Sequence, residues 1–263
     1  MPADRTSFED ILFDRFDGRA VITINRPERM NAFRARTIDE MIAALRACAT
    51  DRSVGVVVIT GAGDRAFCTG GDQKDKTDDG YAGDAGIDIN TLNYLVRSLP
   101  KPVIAAVNGY AIGGGNVLQV VCDLSIAADT AVFGQVGPKV GSVDAGLGTA
   151  YLARLVGERK AREIWFLCRR YRAAEALAMG LINAVVPSTD LMAETMRWCD
   201  EILGLSPTAL KLAKQSFAVD TEMVAALSRF AISTVDLFYK TPEAKEGWHA
   251  FLDKRKPDFA RFR

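Results

Sequence analysis

The chain has one histidine, His249, and no G-x-S-x-G segment to supply a nucleophile for it. A covalent triad is therefore not expected. The five cysteines, Cys48, Cys68, Cys122, Cys168 and Cys199, are widely spaced in mostly apolar surroundings and form no C-x-x-C pair, which predicts reduced core residues rather than a zinc or redox centre. No His/Cys/Asp cluster has metal-ligand spacing. "GAGDRAF" lacks the third glycine and following acid of a dinucleotide fingerprint, so neither metal nor nicotinamide is expected. An excess of one charge is also missing: Lys plus Arg total 33 and Asp plus Glu total 33, which leaves no overall field to recruit nucleic acid or an anionic membrane. No uncharged run reaches the ~18 residues of a membrane span, and no basic-then-apolar signal pattern is present. These absences predict a cytoplasmic protein with neither nucleic acid nor membrane as partner. No repeat or low-complexity tract is found.

What is present is an ordinary globular composition. With 263 residues, 49% of them hydrophobic and 25% charged, the chain is long enough for one full core plus a small extension. "GRAVITIN" (Gly18–Asn25), "VGVVVITG" (Val54–Gly61) and "KPVIAAVNG" (Lys101–Gly109) are short β-rich runs closed by turn residues and read as buried strands. "RTIDEMIAALRACATD" (Arg36–Asp51) has helical spacing, with Thr37 placed as a cap and Glu40 three residues on. Strand–helix alternation predicts an α/β core over residues 1–190. From about Leu191 to residue 263 the pattern is helical and contains no convincing strand. Between Asp72 and Asn90 the chain is polar, acidic and glycine-bearing, which suits a long loop, with Tyr81 near its centre.

Two glycine clusters carry the candidate chemistry. "AFCTGGD" (Ala66–Asp72) follows a strand, and "GYAIGGGNVLQ" (Gly109–Gln119) leads from a strand into a helix, so each offers backbone N–H groups beside a ligand. If Gly71 and Gly114 lie close together, their amides form a pair of donors for the oxygen of a thioester as it becomes an enolate. The alternative is that these glycines serve turns and tight strand–helix packing only.

Together with "NRPERMNAF" (Asn25–Phe33), "KPVIAAVNGYAIGGG" (Lys101–Gly115), "CDLSIAADTAVFGQ" (Cys122–Gln135) and "MGLINAVVP" (Met179–Pro187), these segments resemble the crotonase (enoyl-CoA hydratase/isomerase) superfamily over nearly the whole chain. The resemblance implies a ββα superhelix, a C-terminal helical trimerisation region, and a homotrimer or homohexamer. It also implies acyl-CoA thioester substrates, no tightly bound cofactor, and an enolate held by Gly71 and Gly114. Hydratases of the superfamily carry a catalytic glutamate two residues after GGG and another after a "GQ" pair. Val117 and Gly137 stand at those places here, and neither can move a proton. Ordinary hydratase activity is not expected.

"CTGGDQ", "GQVGPKVGSVDAG" (Gly134–Gly146), "KAREIWFLCRRY" (Lys160–Tyr171), "SPTAL" (Ser206–Leu210) and "RKPDF" (Arg255–Phe259) are similar to the branch holding dihydroxynaphthoyl-CoA synthase and 2-ketocyclohexanecarboxyl-CoA hydrolase. The synthase closes a ring by a Claisen-type condensation, whereas the hydrolase opens a cyclic β-ketoacyl-CoA with water. Met30, where the synthase tends to carry arginine, and the "CTGG", "GGGNVL" and "GSVD" segments lean toward the hydrolase. A catalytically silent acyl-CoA-binding member is a third reading.

Under the resemblance Ser142 and Asp144 face the reacting ketone, Tyr239 reaches in from its own or a neighbouring subunit, and Tyr81 closes the loop. Each also has a bland reading: Asp144 caps a helix near Gly146, Ser142 satisfies a turn, and Tyr81 is a loop aromatic. Gln135, Gly137 and Trp165 match positions at which one class of the synthase holds bicarbonate, which makes a similar ion a candidate here. The matched acyl-CoA pocket comprises Met30, Ala32, Thr69, Gly70, Asp72, Gln73, Tyr110, Gly113 and Val136, with Phe251 and Lys254 toward the nucleotide end.

Overall fold

The computed structural model describes residues 8–77, 80 and 81, 89–144, 146–219 and 221–263. The chain enters as an antiparallel pair, β1 (Ile11–Phe16) and β2 (Arg19–Ile24), reversed through Asp17 and Gly18, both at positive φ. Helix α1 (Ala35–Thr50) then crosses to β3 (Val56–Gly61), which lies parallel to β2.

From β3 a ββα unit repeats. After β3 come β4 (Ala66–Cys68), a small hairpin of β5 (Lys76–Thr77) and β6 (Gly80–Tyr81), and α2 (Ile89–Ser98). Next come β7 (Val103–Val107), β8 (Tyr110–Ile112) and α3 (Gly114–Val121). The third unit is β9 (Leu124–Ala128) and β10 (Val132–Gly134), followed by a π-helical turn at Leu147–Tyr151, α4 (Leu152–Val156) and α5 (Glu158–Leu167). The chain continues through β11 (Arg170–Arg172), α6 (Ala173–Ala178) and β12 (Ala184–Val186). It ends in α7 (Leu191–Leu203), α8 (Pro207–Val219), α9 (Glu222–Tyr239) and α10 (Pro242–Leu252).

The first strand of each unit joins a six-stranded sheet in the order β1-β2-β3-β7-β9-β12, and the second joins a four-stranded sheet in the order β11-β10-β8-β4. This is the mixed α/β arrangement of ββα units that the sequence resemblance implies. The three strands expected from the sequence lie at β2, β3 and β7. Their near-continuous apolar runs have the physical cause usual for parallel strands, which is burial on both faces. Val57, Ile59, Ala105 and Ala127 face a core shared with α1, α2 and α3. Their neighbours Val56, Val58, Ile104 and Ile126 face a second cluster that includes Leu191 and Cys199 of α7.

That second cluster moves the boundary expected at Leu191, because α7 covers the outer face of the main sheet and belongs to the core; the outlying helices begin after it. The start of α1 also differs from the sequence reading. Thr37 sits inside the first turn, where its hydroxyl accepts from the Arg34 amide at 3.1 Å and donates to Asp10 at 2.7 Å. Glu40 accepts from the Glu9 and Asp10 amides at 3.0 and 2.8 Å, so it ties the helix to the chain entering β1 instead of closing a cap. All five cysteines are buried and free. Among the described residues no helix is long and apolar enough to cross a membrane.

Candidate active site

Strands β4 and β8 run parallel and release the two glycine clusters side by side. Gly70 takes φ +84°, which suits a residue without Cβ, and a Cβ there would lie 3.0 Å from the Gly114 nitrogen. Phe33 bridges Gly71 through its amide to the Gly70 carbonyl at 2.9 Å and through its carbonyl to the Asp72 amide at 2.8 Å. In a parallel bridge the flanking groups bond the partner, so the Gly71 amide itself points away from Phe33. Gly114 opens α3, where a first-turn amide has no intrahelical acceptor and the positive end of the helix dipole lies. Phe33 packs on Gly114, and Val136 lies 3.6 Å from where a Cβ of Gly113 would be. The structure thus brings Gly70, Gly71, Gly113, Gly114 and Val136 together around two backbone donors.

The "NRPERMNAF" segment braces this pair. The Asn31 side chain donates to the Ala62 and Ala66 carbonyls at 2.9 and 2.6 Å, and Arg26 donates to the Ala32 carbonyl at 2.5 Å. Arg26 also forms a buried ion pair with Asp72 at 3.1 Å. The Asp72 carboxylate, expected from the sequence to line the acyl-CoA pocket, is thereby committed to holding the turn. Thr69 donates to the Met30 carbonyl at 3.2 Å, which closes Met30 and Ala32 onto the same wall. Gln73 donates to the Gly71 carbonyl at 3.0 Å.

A second group of residues gathers opposite the places where hydratase acids are missing. A Cβ on Gly148 would lie 2.6 Å from Cβ of Asp144, 3.0 Å from Cγ2 of Val117 and 3.3 Å from Cζ2 of Trp165. A Cβ on Gly137 would lie 2.5 Å from the Ser142 carbonyl oxygen and 3.0 Å from Trp165. Cβ of Asp144 and Cγ2 of Val117 therefore flank the same small space above Gly148, and the space at Gly137 is filled by backbone and indole. Asp144 is half-buried and has no hydrogen-bond partner among the described residues. Desolvation pushes its pKa up to about 6. It does not cap the turn at Gly146, because Thr149 accepts the Gly146 amide at 2.9 Å.

Ser142 Oγ and Tyr239 Oη are 2.7 Å apart within one chain. The contact depends on helix α10 meeting the Val140–Ser142 turn at backbone distance. A Cβ on Gly141, at φ +65°, would lie 2.3 Å from the Ala244 carbonyl, and one on Gly247 would lie 2.4 Å from the Gly141 nitrogen.

The matched bicarbonate residues behave differently from one another. Gln135 is 1% exposed and neither of its amide atoms has a partner among the described residues. The Trp165 indole N–H is donated to the Gly148 carbonyl at 2.6 Å. With that donor engaged and the space at Gly137 closed, the three residues as arranged do not fit the ion.

Tyr110 begins β8, at the end opposite Gly113, and lines a separate groove of about 480 Å³ with Thr130, Arg170, Arg172 and Glu175. Phe251 and Lys254 are exposed, beyond Trp248 at the far end of α10. Tyr81 occupies the second strand of the β5–β6 hairpin, as the register partner of Lys76. Its side chain, and residues 82–88 of the expected long loop, lie outside the described residues.

Sequence reasoning missed Lys76 and Trp248. Lys76 is 7% exposed, with Nζ 4.2 Å from the Tyr239 ring centroid and 5.7 Å from that of Trp248. Burial lowers its pKa to about 8. The Trp248 indole donates to the Gln73 carbonyl at 3.1 Å. In "DQKDKTDD" a lysine among acids reads as a solvated charge, and no local signal marks it as covered by helices about 160 residues later in the chain.

Residues 15–261 match the enoyl-CoA hydratase/isomerase family. Among solved structures, an enoyl-CoA hydratase from Mycobacterium avium subsp. paratuberculosis K-10 shares 30% identity over 96% of this chain and 99% of its own, with a TM-score of 0.87. A carnitinyl-CoA hydratase from Mycobacterium avium shares 30% identity over 97% of this chain and 100% of its own, also at 0.87. A methylmalonyl-CoA decarboxylase in complex with 2-nitronate-propionyl-CoA shares 25% identity over 96% and 99%, at 0.84. With that match and the repeated ββα units, the chain belongs to the enoyl-CoA hydratase/isomerase family of the crotonase superfamily.

Proposed function

We propose that this chain opens the ring of a cyclic β-ketoacyl-CoA with water, giving a dicarboxylic acid mono-CoA ester. The carrying observation is the position of Asp144: its Cβ and the Val117 side chain flank the same space above Gly148, Val117 standing where a hydratase would keep its own acid, and burial raises the Asp144 pKa to about 6. A base with that pKa is largely ionised at neutral pH and still accepts a proton readily.

In this reading Asp144 takes a proton from water as the oxygen adds to the ring ketone. The bond from that carbon to the α-carbon breaks, and its electron pair enters the thioester, whose oxygen is held as an enolate by the Gly71 and Gly114 amides. Tyr239, hydrogen-bonded to Ser142, gives the α-carbon its proton. Asp144 then releases one proton to solvent, the Tyr239 phenolate takes one back, and ionisation of the new carboxylic acid leaves one proton released per turnover. No resident cofactor is needed. The decarboxylase relative, bound to 2-nitronate-propionyl-CoA, holds an anion next to a thioester in the same fold, which supports enolate chemistry following carbon–carbon cleavage.

Ring closure of the dihydroxynaphthoyl-CoA synthase type passes through the same enolate pocket and is the main competing reading. Bicarbonate is the rival base, favoured by the unpartnered amide of Gln135 but not by Trp165 or Gly137. Incubation with 2-ketocyclohexanecarboxyl-CoA and, separately, with succinylbenzoyl-CoA, followed by mass analysis, separates the readings. A gain of one water by the first substrate supports the hydrolase. Loss of water from the second with ring closure supports the synthase, and turnover of neither supports a silent binding protein.

The reading includes assembly as a homotrimer or homohexamer. Phe217, Val219, Met223 and Leu237 on α8 and α9 are 78, 73, 85 and 67% exposed in the single chain, a large apolar surface for a monomer. Light scattering at micromolar concentration should give three or six copies; a monomer would count against this assembly.

A further inference from the structure

The reading above leaves a buried lysine unexplained. Lys76 sits on the hairpin that follows Gly71, and its ammonium is set against the ring of Tyr239 from α9 and the indole of Trp248 from α10. The same hairpin approach is pinned to α10 by the bond from Trp248 to the Gln73 carbonyl. Of the acids before Lys76 in the chain, Asp72 pairs with Arg26 at 3.1 Å, and Asp75 lies 3.8 Å from the same guanidinium. Across the hairpin the register partner is Tyr81. Asp144, two residues on from Ser142, is a further titrating group among the described residues.

A cation on the face of an aromatic ring is attracted to its electron density, and it stabilises negative charge developing on the ring oxygen. At 4.2 Å from the centroid the Lys76 ammonium is close enough to act on the phenol without occupying the hydroxyl, which remains on Ser142 at 2.7 Å. We propose that Lys76 is a positioning residue for Tyr239: its ammonium makes the phenol a stronger proton donor toward the enolate and holds the hydroxyl on Ser142. This rests on the reading that Tyr239 protonates the α-carbon. The device also makes completion of the site depend on docking of the C-terminal helices, since the cation comes from the hairpin and the phenol from α9.

The effect has an upper pH limit. Burial lowers the Lys76 pKa to about 8, so the charge is present below that pH and is lost above it. Two measurements test the pairing, one of which needs no substrate. In the free protein with ¹³Cζ-labelled tyrosine, the Tyr239 resonance, identified by its loss in Tyr239→Phe, should move with a midpoint near 8 as Lys76 titrates. The movement should vanish in Lys76→Met. On a turned-over β-ketoacyl-CoA, Lys76→Met should lower kcat by about tenfold with little change in KM, while Lys76→Arg keeps most of kcat and extends activity to higher pH.

A Tyr239 signal that stays flat between about pH 7 and pH 9 in the wild type overturns the proposal, and so does equal damage by the Met and Arg variants. The wild-type titration decides alone where Lys76→Met does not fold. If the ring-opening reading fails, the resonance still reports whether lysine and phenol are coupled, so the two failures are distinguishable.

Discussion

The two halves of the site are built from different materials. The oxyanion half is backbone: two amides at the ends of β4 and β8, braced by Phe33, Asn31 and the Arg26–Asp72 pair. The opposite half is side chains: Ser142 and Asp144 on the turn after β10, Tyr239 at the end of α9 and Lys76 on the β5–β6 hairpin, with Ser142 and Lys76 both reaching Tyr239. On the proposed reading, enolate stabilisation belongs to the backbone that the fold supplies, while the choice of reaction depends on a few replaceable side chains; hydratases and a decarboxylase are among the solved structures that share the fold.

The contrast breaks most sharply at Asp144. Asp144→Asn should retain acyl-CoA affinity and lose about 10²–10⁴ in kcat, the range for a positioned acid or base, with no rescue by added bicarbonate. Steady-state kinetics with and without bicarbonate check this; restoration by the ion would make the ion the base.

The backbone half should fail more generally but less steeply. Gly114→Pro deletes one enolate donor and should cost about 10²–10³ in rate. Proline is compatible with a first helical position. A Cβ there would come within 2.8 Å of the Phe33 ring, so the change is best made with Phe33→Leu and judged against that single variant. Exchange of the α-hydrogen of an acyl-CoA product into deuterated water should survive Asp144→Asn and disappear in Gly114→Pro. Equal loss in both variants would dissolve the distinction between the halves.

The pH dependence gives a smaller, graded effect. Because Asp144 acts ionised and its pKa is about 6, kcat/KM should fall about tenfold per unit as pH drops below that value. An acid limb that stays in the ordinary carboxylate range would remove Asp144 from the role.

The smallest expected effect is on stability, and its sign is opposite to that on activity. The Asp144 carboxyl titrates higher in the folded than in the unfolded chain. The folded form therefore binds more protons between about pH 4 and pH 6, and stability falls as pH rises through that window. Asp144→Asn removes this cost and should stabilise the fold at neutral pH by on the order of 2 kcal/mol, with the gain vanishing in acid. Urea unfolding at the two pH values measures it, and a destabilised Asn variant would mean that the carboxylate carries an unrecognised structural role.

The backbone half was the more legible of the two. Glycine-rich segments following strands and leading into a helix announce amide donors, because close approach requires the missing Cβ whatever the ligand. Asp144 was legible only through the family resemblance, since local pattern allowed it to be a cap, and the Thr149 hydroxyl turned out to hold that position. Arg26, Lys76 and Trp248 were not legible. Each acquires its role from a contact far along the chain, Arg26 with Asp72 and Lys76 with Tyr239, and a charge that is buried by distant elements looks solvated in the local text. The placement of α7 on the main sheet was hidden for the same reason, because its apolar stripe does not say which partner it covers.

The most direct test follows the oxygen. Wild-type protein and Asp144→Asn, each in water enriched in ¹⁸O, would be mixed with 2-ketocyclohexanecarboxyl-CoA and the products weighed in a single turnover. The predicted result is a ring-opened CoA ester from the wild type carrying one ¹⁸O in its new carboxylate, with intact substrate in the variant over the same time. Free CoA from thioester hydrolysis, unchanged substrate with the wild type, or equal label incorporation by both proteins would contradict the assignment of Asp144 as the base that delivers water to the ring.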